Sequence, residues 1–223
     1  MSEPDAAGFV LAGGRSSRMG RDKALVAFRG QPLVAHALGI LREAGLAAAI
    51  AGSRSVLGAY APVVEDAESG LGPLAGICAA MSSTTARWAV FVPVDLPLLP
   101  ASLVRCLMKD ARTTGRAITI ASVNGFAETF PVVLERRVLP GLQSELDAGR
   151  SGCFSAFQAA AAGLGQTMNV VVTERLAQAA QVAHPSLIPA ANWFVNINSA
   201  EDLGRAEALL PGGVSNIRSH RVS

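Results

Sequence analysis

The stretch Trp88-Ala-Val-Phe-Val-Pro-Val94 constrains the fold more than any other part of the chain, because it carries no polar side chain. A strand with one solvated face alternates polar and apolar residues, whereas a strand buried on both faces is apolar throughout, as in a parallel sheet. Pro93 cannot donate to a β-ladder, which puts it at the strand end or beside a bulge. The sequence therefore predicts a central strand of a parallel sheet over residues 88–94.

Further strands and helices alternate along the chain. Apolar runs predict strands over residues 8–12, 47–51, 62–65, 117–122, 129–134, 168–172 and 192–196. Helices are predicted over residues 32–45, 72–81, 101–111 and 199–210, and on both sides of the strand at 168–172. This alternation predicts an α/β fold, a single-domain three-layer sandwich whose mostly parallel, Rossmann-like sheet has helices on both faces.

Composition narrows the class of protein. With 50% hydrophobic and 16% charged residues in 223, the chain can bury a core, and no shift in composition marks a second domain. We expect one domain over residues 1–210 and a flexible tail over 211–223. A net charge of +2 and 5% aromatic residues argue against nucleic-acid binding, and no apolar run is long enough to span a membrane. Three widely spaced cysteines without a CxxC pair favour the reducing cytoplasm.

The loop after the first predicted strand is rich in glycine and cations. It reads Leu11-Ala-Gly-Gly-Arg-Ser-Ser-Arg-Met-Gly-Arg-Asp-Lys23. Glycine N–H groups can form an anion nest, arginine and lysine neutralise phosphate, and α/β sheets bind ligands where their strands end. Gly20 is not followed by the Lys-Ser/Thr pair of a P-loop, and the dinucleotide fingerprint GxGxxG is absent here. The loop is thus a phosphate-binding candidate, and a solvated basic loop is the alternative.

Asp95 stands alone between the strand at 88–94 and the apolar turn Leu96-Pro-Leu-Leu-Pro100. A carboxylate in such surroundings is costly to desolvate unless it binds a cation or a hydrogen-bond donor. Beside a triphosphate it would suit Mg²⁺, which takes one or two carboxylates together with phosphate oxygens and water. Capping of the helix at Ala101 is the alternative, but Asp95 lies too far upstream.

Other polar residues follow predicted strands in the same way. Asp66 follows the strand at 62–65 and is either a ligand contact or a turn residue. Asn196 and Asn198 precede the capping box Ser199-Ala-Glu-Asp202 and either cap that helix or face the ligand. No histidine has a nearby serine or cysteine in a nucleophile motif, and GxSxG is absent, which disfavours a histidine-based hydrolase.

With these segments located, the sequence resembles the molybdenum cofactor guanylyltransferases of the nucleotidyltransferase superfamily. The resemblance rests on the segments LAGGRSSRMGRDKAL, RGQPLVAHAL, EDAESGLGPLAGI, VPVDLPLLP and FVNINSAEDL. It implies transfer of GMP from GTP to the terminal phosphate of molybdopterin, with Mg²⁺ as cofactor and release of pyrophosphate. It also allows for a separate protein that delivers the molybdenum cofactor.

The resemblance implies roles for individual residues. Those expected to bind the nucleotide are Leu11, Ala12, Gly13, Gly14, Lys23, Ser53, Asp66 and Asp95. Catalytic roles fall to Lys23, Arg18 and Asp95, with Asp95 holding the metal, and acceptor binding to Arg150, Asn196 and Asn198. Ser53 stands where the family usually has Asn, and Gly13 favours GTP because cytidylyl-transferring relatives usually carry Ala there.

The sequence departs from the family on the acceptor side. Thr129-Phe-Pro131 and Gly149-Arg-Ser-Gly-Cys153 stand where relatives have a His-Pro and a Gly-Glu-Arg-Arg-Val segment, so Arg150 alone keeps a charge. Two other functions therefore stay open. One is the same chemistry with CTP or with another phosphorylated acceptor, such as a sugar phosphate. The other is a non-catalytic nucleotide-binding protein, against which the retained Lys23 and Asp95 argue.

Overall fold

The computed structural model describes residues 5–12, 22–65 and 72–211. Its strands are β1 Ala6–Leu11, β2 Ala27–Phe28, β3 Gln31–Pro32, β4 Ala47–Ala51, β5 Val63–Val64, β6 Trp88–Pro93, β7 Ile118–Val123, β8 Phe126–Glu135 and β9 Asn169–Val172. Its helices are α1 Leu33–Glu43, α2 Arg54–Leu57, α3 Pro73–Ser82, α4 Ala101–Thr114, α5 Leu139–Asp147, α6 Cys153–Gly163, α7 Thr173–Gln178 and α8 Ala200–Ala208.

Seven of the strands form one sheet in the order β5-β4-β1-β6-β8-β7-β9. The pairs β4/β5, β1/β4, β1/β6 and β7/β9 are parallel, and β8 alone runs antiparallel to its neighbours β6 and β7. The predicted mostly parallel sheet is confirmed, and β6 lies at its centre as the apolar run at 88–94 indicates.

Helices cover both faces of the sheet, as the three-layer prediction requires. One core layer packs α1, α4 and α8 against the sheet, and the other packs α3, α5 and α6 against the opposite face. Successive residues of β6 divide between them: Val90 and Val92 enter the first layer, and Ala89 and Phe91 enter the second. Since side chains alternate across a strand, a strand covered on both sides has to be apolar throughout.

The predicted helix ends agree with the capping residues. α1 begins directly after Pro32, and the chain leaves it through Gly45, whose φ of +85° is accessible to glycine without strain. α8 begins after Ser199, whose hydroxyl oxygen accepts a hydrogen bond from the Asp202 N–H at 3.1 Å. The Asp202 carboxylate accepts in turn from the Ser199 hydroxyl and the Asn198 N–H, so the capping box is confirmed.

The predicted strand over residues 192–196 is wrong. Residues 190–192 form a short 3₁₀ helix, and the following segment crosses the edge of the sheet without joining it. Trp193 is buried and its indole N–H donates to the Ile188 carbonyl, while the Ile197 N–H donates to the Asp95 carbonyl. The alternating pattern reflects two buried anchors, Trp193 and Ile197, rather than pairing in a β-ladder.

Within the described parts of the chain, no helix is long and apolar enough to cross a membrane.

Leu107 of α4 is fully buried, whereas Leu187 is 88% exposed. We expect Leu107→Ala to lower the free energy of unfolding by about 2–5 kcal/mol, because it removes apolar contacts and leaves a cavity. Leu187→Ala should change it by less than about 0.5 kcal/mol. Urea denaturation followed by circular dichroism checks both, and similar losses in the two variants would contradict the assignment of α4 to the core.

Candidate active site

Three parallel strands end side by side at one edge of the sheet and fix the start of the site. The Ala12 N–H donates to the Ala51 carbonyl at 3.0 Å, and the Val94 N–H donates to the Leu11 carbonyl at 3.2 Å. The chain segments that leave β4, β1 and β6 therefore start next to one another. Ligands of open α/β sheets bind at this carboxyl edge. Leu11 and Ala12 lie there, as predicted.

Lys23 is presented to this edge by a short 3₁₀ helix over Lys23–Leu25. Asp22 caps that helix, because its carboxylate accepts a hydrogen bond from the Ala24 N–H at 3.0 Å. Ala24 is fully buried, and the Val26 carbonyl accepts from the Leu33 N–H at the start of α1. The backbone of Lys23 is thus anchored on both sides, which leaves its long side chain to reach the sheet edge.

The ammonium of Lys23 lies among three oxygens from distant parts of the chain. Nζ is 2.7 Å from Asp95 Oδ2, 2.7 Å from Asn198 Oδ1 and 3.5 Å from Asn196 Oδ1. An ammonium has three N–H donors. Because two of the contacts are short and the third is long, one donor is weakly engaged and can turn toward an incoming anion.

The two asparagines reach Lys23 because the residue between them is buried and hydrogen-bonded to the segment that follows β6. Ile197 is fully buried between them, and its N–H donates to the Asp95 carbonyl at 3.0 Å. At the end of the segment the Asp202 carboxylate holds the Asn198 N–H at 3.1 Å. The hydrogen bond from the Ser199 hydroxyl is the main reason that the pKa of Asp202 is lowered. Because the Ser199 side chain caps α8, the asparagine side chains are not needed as caps and are free to face the ligand edge.

The side chains of Lys23 and Asp95 are 18% and 20% exposed. This partial burial strengthens their interaction relative to a surface pair, yet both groups keep an opening to solvent. A carboxylate and two amide oxygens converging on one cation are hard oxygen donors of the kind that Mg²⁺ accepts. Among the described residues no three His, Cys, Asp or Glu side chains come together. A single carboxylate fits a magnesium ion that takes its other ligands from phosphate oxygens and water.

Two other predicted residues, Arg150 and Ser53, make their hydrogen bonds outside this cluster. The Arg150 guanidinium, in the turn between α5 and α6, makes two hydrogen bonds of 2.7 Å to Glu145. That pairing lowers the pKa of Glu145. Ser53 follows β4 at the carboxyl edge, and its hydroxyl lies 3.0 Å from that of Ser55. Gly13, Gly14, Arg18 and Asp66 lie outside the described residues.

The thiols and imidazoles of the described chain are not set up as nucleophiles. Burial raises the pKa of Cys78 to about 11 and that of Cys153 to about 12, so both are thiols at neutral pH. His36 Nε2 lies 2.8 Å from the Phe28 carbonyl oxygen. Burial lowers the pKa of His184, whose Nδ1 accepts from the Ser186 N–H. The cluster around Lys23 thus favours binding and charge neutralisation over covalent catalysis.

What the sequence did not predict is the direct contact between Lys23 and Asn198. The sequence identifies these residues and the edge of the sheet, but it predicts that the asparagines bind the acceptor and that Lys23 binds the nucleotide. The signal was weak because the pair is 175 residues apart in the chain. The alternation Phe194-Val-Asn-Ile-Asn198, with Ile197 buried and both asparagines exposed, is the feature from which a shared direction could have been inferred.

The chain is similar in sequence to known proteins. A family model described as the MobA-like NTP transferase domain matches residues 8–163. A molybdenum cofactor guanylyltransferase of Pseudomonas putida is 37% identical over 153 residues, which cover 66% of this chain and 80% of that protein. One from Shewanella sediminis is 34% identical over 146 residues, 63% of this chain and 74% of that protein.

The fold has a counterpart in the crystal structure of molybdopterin-guanine dinucleotide biosynthesis protein A from Archaeoglobus fulgidus. The two structures superpose with a TM-score of 0.73, covering 91% of this chain and 97% of the other, at 20% sequence identity. A likeness at that identity shows the fold. It agrees with the mostly parallel sheet that helices cover on both faces.

The chain has two lysines, Lys23 and the exposed Lys109, which makes the environment of Lys23 measurable. Acetic anhydride should label Lys23 more slowly than Lys109, because the Lys23 side chain is 18% exposed and its ammonium is hydrogen-bonded. Asp95→Asn should raise the labelling rate of Lys23 about fivefold, since a partly exposed ion pair contributes about 1 kcal/mol. Peptide mass spectrometry measures both sites in one sample, and Lys109 is the internal control. An unchanged ratio in the variant would contradict the ion pair.

Proposed function

The chain belongs to the MobA-like NTP transferase domain family and is a nucleotidyltransferase, and from that premise we propose its reaction. It transfers GMP from GTP to the terminal phosphate of molybdopterin and releases pyrophosphate. The observation that carries this proposal is the Lys23 ammonium held by Asp95 and Asn198 at the carboxyl edge of the sheet. The relatives named molybdenum cofactor guanylyltransferase support GTP and molybdopterin as the substrates.

The chemistry needs positioning more than covalent help. An oxygen of the acceptor phosphate attacks the α-phosphorus of GTP, the new phosphoanhydride bond forms, and the bond to the β-phosphate oxygen breaks. The attacking oxygen is already ionised, so no general base is required, in keeping with His36 and His184, which are engaged elsewhere. Negative charge grows on the departing pyrophosphate, and preorganised cations stabilise such charge. Lys23 supplies one cation on a fixed backbone.

Lys23 can bind phosphate without leaving its present partners. Its two short hydrogen bonds, to Asp95 and Asn198, fix the direction of the ammonium. The weakly engaged third donor, 3.5 Å from Asn196, is then available to an oxygen of the triphosphate. Asp95 would also hold Mg²⁺, which when bound neutralises phosphate charge and aligns the reacting groups. We propose the loop residues Gly13, Gly14 and Arg18, together with Asp66, as further nucleotide contacts.

For the acceptor, we propose Asn196, Asn198 and Arg150. Both asparagines are exposed and contact Lys23, so a second phosphate group that binds them would lie close to the phosphates held by Lys23. Arg150 is exposed and paired with Glu145, so an acceptor phosphate would replace that carboxylate as its partner.

We also propose that the reaction takes place in the cytoplasm, supported by three free cysteines, and that a separate protein delivers the pterin.

A pyrophosphate-release assay tests the reaction against its alternatives. The purified protein is given GTP or CTP with Mg²⁺ and, as acceptor, molybdopterin or a sugar phosphate. We expect release that requires both GTP and molybdopterin. Release with CTP or with the sugar phosphate instead would establish the related transferase. Nucleotide binding without pyrophosphate release from any combination of substrates would show that the chain is a non-catalytic nucleotide-binding protein.

We expect Lys23→Ala to lower kcat by about 100-fold or more, because removal of one preorganised donor to developing charge typically costs that much. Lys109→Ala, the same substitution at the other lysine, should leave kcat unchanged. Steady-state rates with GTP, Mg²⁺ and molybdopterin measure both variants. A Lys23→Ala variant with nearly normal kcat would remove Lys23 from the mechanism.

Asp95→Asn is expected to abolish Mg²⁺-dependent transfer while the fold stays intact, since the two side chains are nearly isosteric. The reason is the loss of the carboxylate that both fixes Lys23 and fits the metal. Turnover is measured across a magnesium titration, with circular dichroism as the folding control. If the variant turns over with the wild-type magnesium dependence, Asp95 has a structural role and Asp66 becomes the candidate ligand.

A further inference from the structure

A second group of charged residues lies at the same edge of the sheet, two strands away from Asp95. Arg54 and Glu65 follow β4 and β5, whereas Asp95 follows β6, and β1 lies between β4 and β6. Neighbouring strands are about 4.8 Å apart, so the ends of β4 and β6 are separated by about 10 Å. The ribose and base of a nucleotide extend far enough from the α-phosphate to cover this separation. With the phosphates at Lys23, the far edge of the base could therefore reach the ends of β4 and β5.

The Arg54 guanidinium is fixed at that position. Its Nη2 donates to the Val63 carbonyl at 2.9 Å, and its Nε lies 3.5 Å from Glu65 Oε2. The other oxygen of that carboxylate, Oε1, accepts from the Arg54 backbone N–H at 2.9 Å. Glu65 therefore holds both the main chain and the side chain of Arg54. The orientation of the fork is set before any ligand arrives.

Enough of Arg54 stays open to meet a ligand. Its side chain is 66% exposed. Among residues 5–12, 22–65 and 72–211, no acceptor contacts Nη1. A guanidinium carries five N–H donors and no acceptor, and its rigid fork recognises pairs of acceptors. The fixed fork is thus suited to a ligand edge that presents acceptors only.

We propose that Arg54 selects the base of the nucleotide by donating to the O6 and N7 acceptors of guanine. This inference rests on the proposed function, since it takes GTP as the nucleotide. Guanine presents those two acceptors side by side, and a bidentate contact to them from arginine or lysine is the commonest specific contact of proteins with DNA bases. Cytosine offers an N4 amino donor on the corresponding edge, which a guanidinium cannot pair with. Arg54 is therefore a specificity residue, and Glu65 is a positioning residue that acts through it.

Binding measurements without acceptor test this inference separately from transfer. Isothermal titration calorimetry in the presence of Mg²⁺ compares GTP, CTP and 7-deaza-GTP, which differs from GTP in lacking the N7 acceptor. The wild type should bind GTP at least about fivefold more tightly than 7-deaza-GTP. Arg54→Ala should bind GTP and 7-deaza-GTP equally, and its preference for GTP over CTP should fall by about 5- to 150-fold, the range for one bidentate contact.

Two variants make the result specific to the fork of Arg54. Glu65→Gln keeps Arg54 but removes the charge that orients it, so its preference for GTP over 7-deaza-GTP should lie between those of the wild type and Arg54→Ala. Arg112→Ala is the matched control, because Arg112 is also an exposed arginine paired with a carboxylate, that of Asp5. Asp5 directly precedes β1, so this pair lies at the amino edge of the sheet, opposite the candidate site. It should keep every wild-type ratio, and urea denaturation checks that each variant is folded.

Two results would overturn the inference. One is a wild type that binds GTP and 7-deaza-GTP equally, and the other is an Arg54→Ala variant that keeps the wild-type preference between them. In both cases GTP still binds, so the proposed function would stand and the base would be selected elsewhere. Failure of the wild type to bind GTP at all would overturn the proposed function, and this inference with it.

Discussion

The ion pair between Lys23 and Asp95 is the interaction on which the candidate site depends. It joins the segment after β1 to the end of β6, and the hydrogen bond from Lys23 to Asn198 adds the segment before α8. Asp95 and Asn198 lie 72 and 175 residues after Lys23 in the chain. Without a cation at their meeting point, a carboxylate and two amide oxygens would face one another with no donor between them. Lys23 therefore stabilises the arrangement as well as offering charge to a substrate.

The same arrangement explains why this edge of the sheet can receive a polyanion. Lys23 and Asp95 are partly buried rather than enclosed, so their charges are only weakly screened but remain accessible. Asp95 balances the lysine in the free protein and suits a magnesium ion in the presence of phosphate. The backbone next to Lys23 and to the asparagines is anchored by the buried residues Ala24 and Ile197.

The placement of Arg54 and Glu65 follows from the parallel topology in the same way. Because β5, β4, β1 and β6 all run in one direction, their carboxyl ends form one edge, and the residues after them are spaced by the width of a strand. In the proposed complex, a nucleotide laid along this edge would meet Lys23 at its phosphates and Arg54 near its base. The order of the strands, not the order of the residues in the chain, decides which groups act together.

The sequence by itself determined the α/β class, the central position of residues 88–94 and the edge of the sheet to which Lys23 and Asp95 belong. These features follow from local patterns: uninterrupted apolar strands, the Pro32 and Gly45 boundaries of a helix, and the capping box at Ser199. Only the tertiary structure decided that residues 192–196 cross the edge instead of pairing in the sheet, and that Asn198 contacts Lys23. An alternating pattern tells which side chains are buried, but it cannot tell whether the burial comes from a neighbouring strand or from isolated anchors such as Trp193. The contacts of Lys23 depend on how far apart three remote segments finally lie, and that distance is set by packing across the whole sheet.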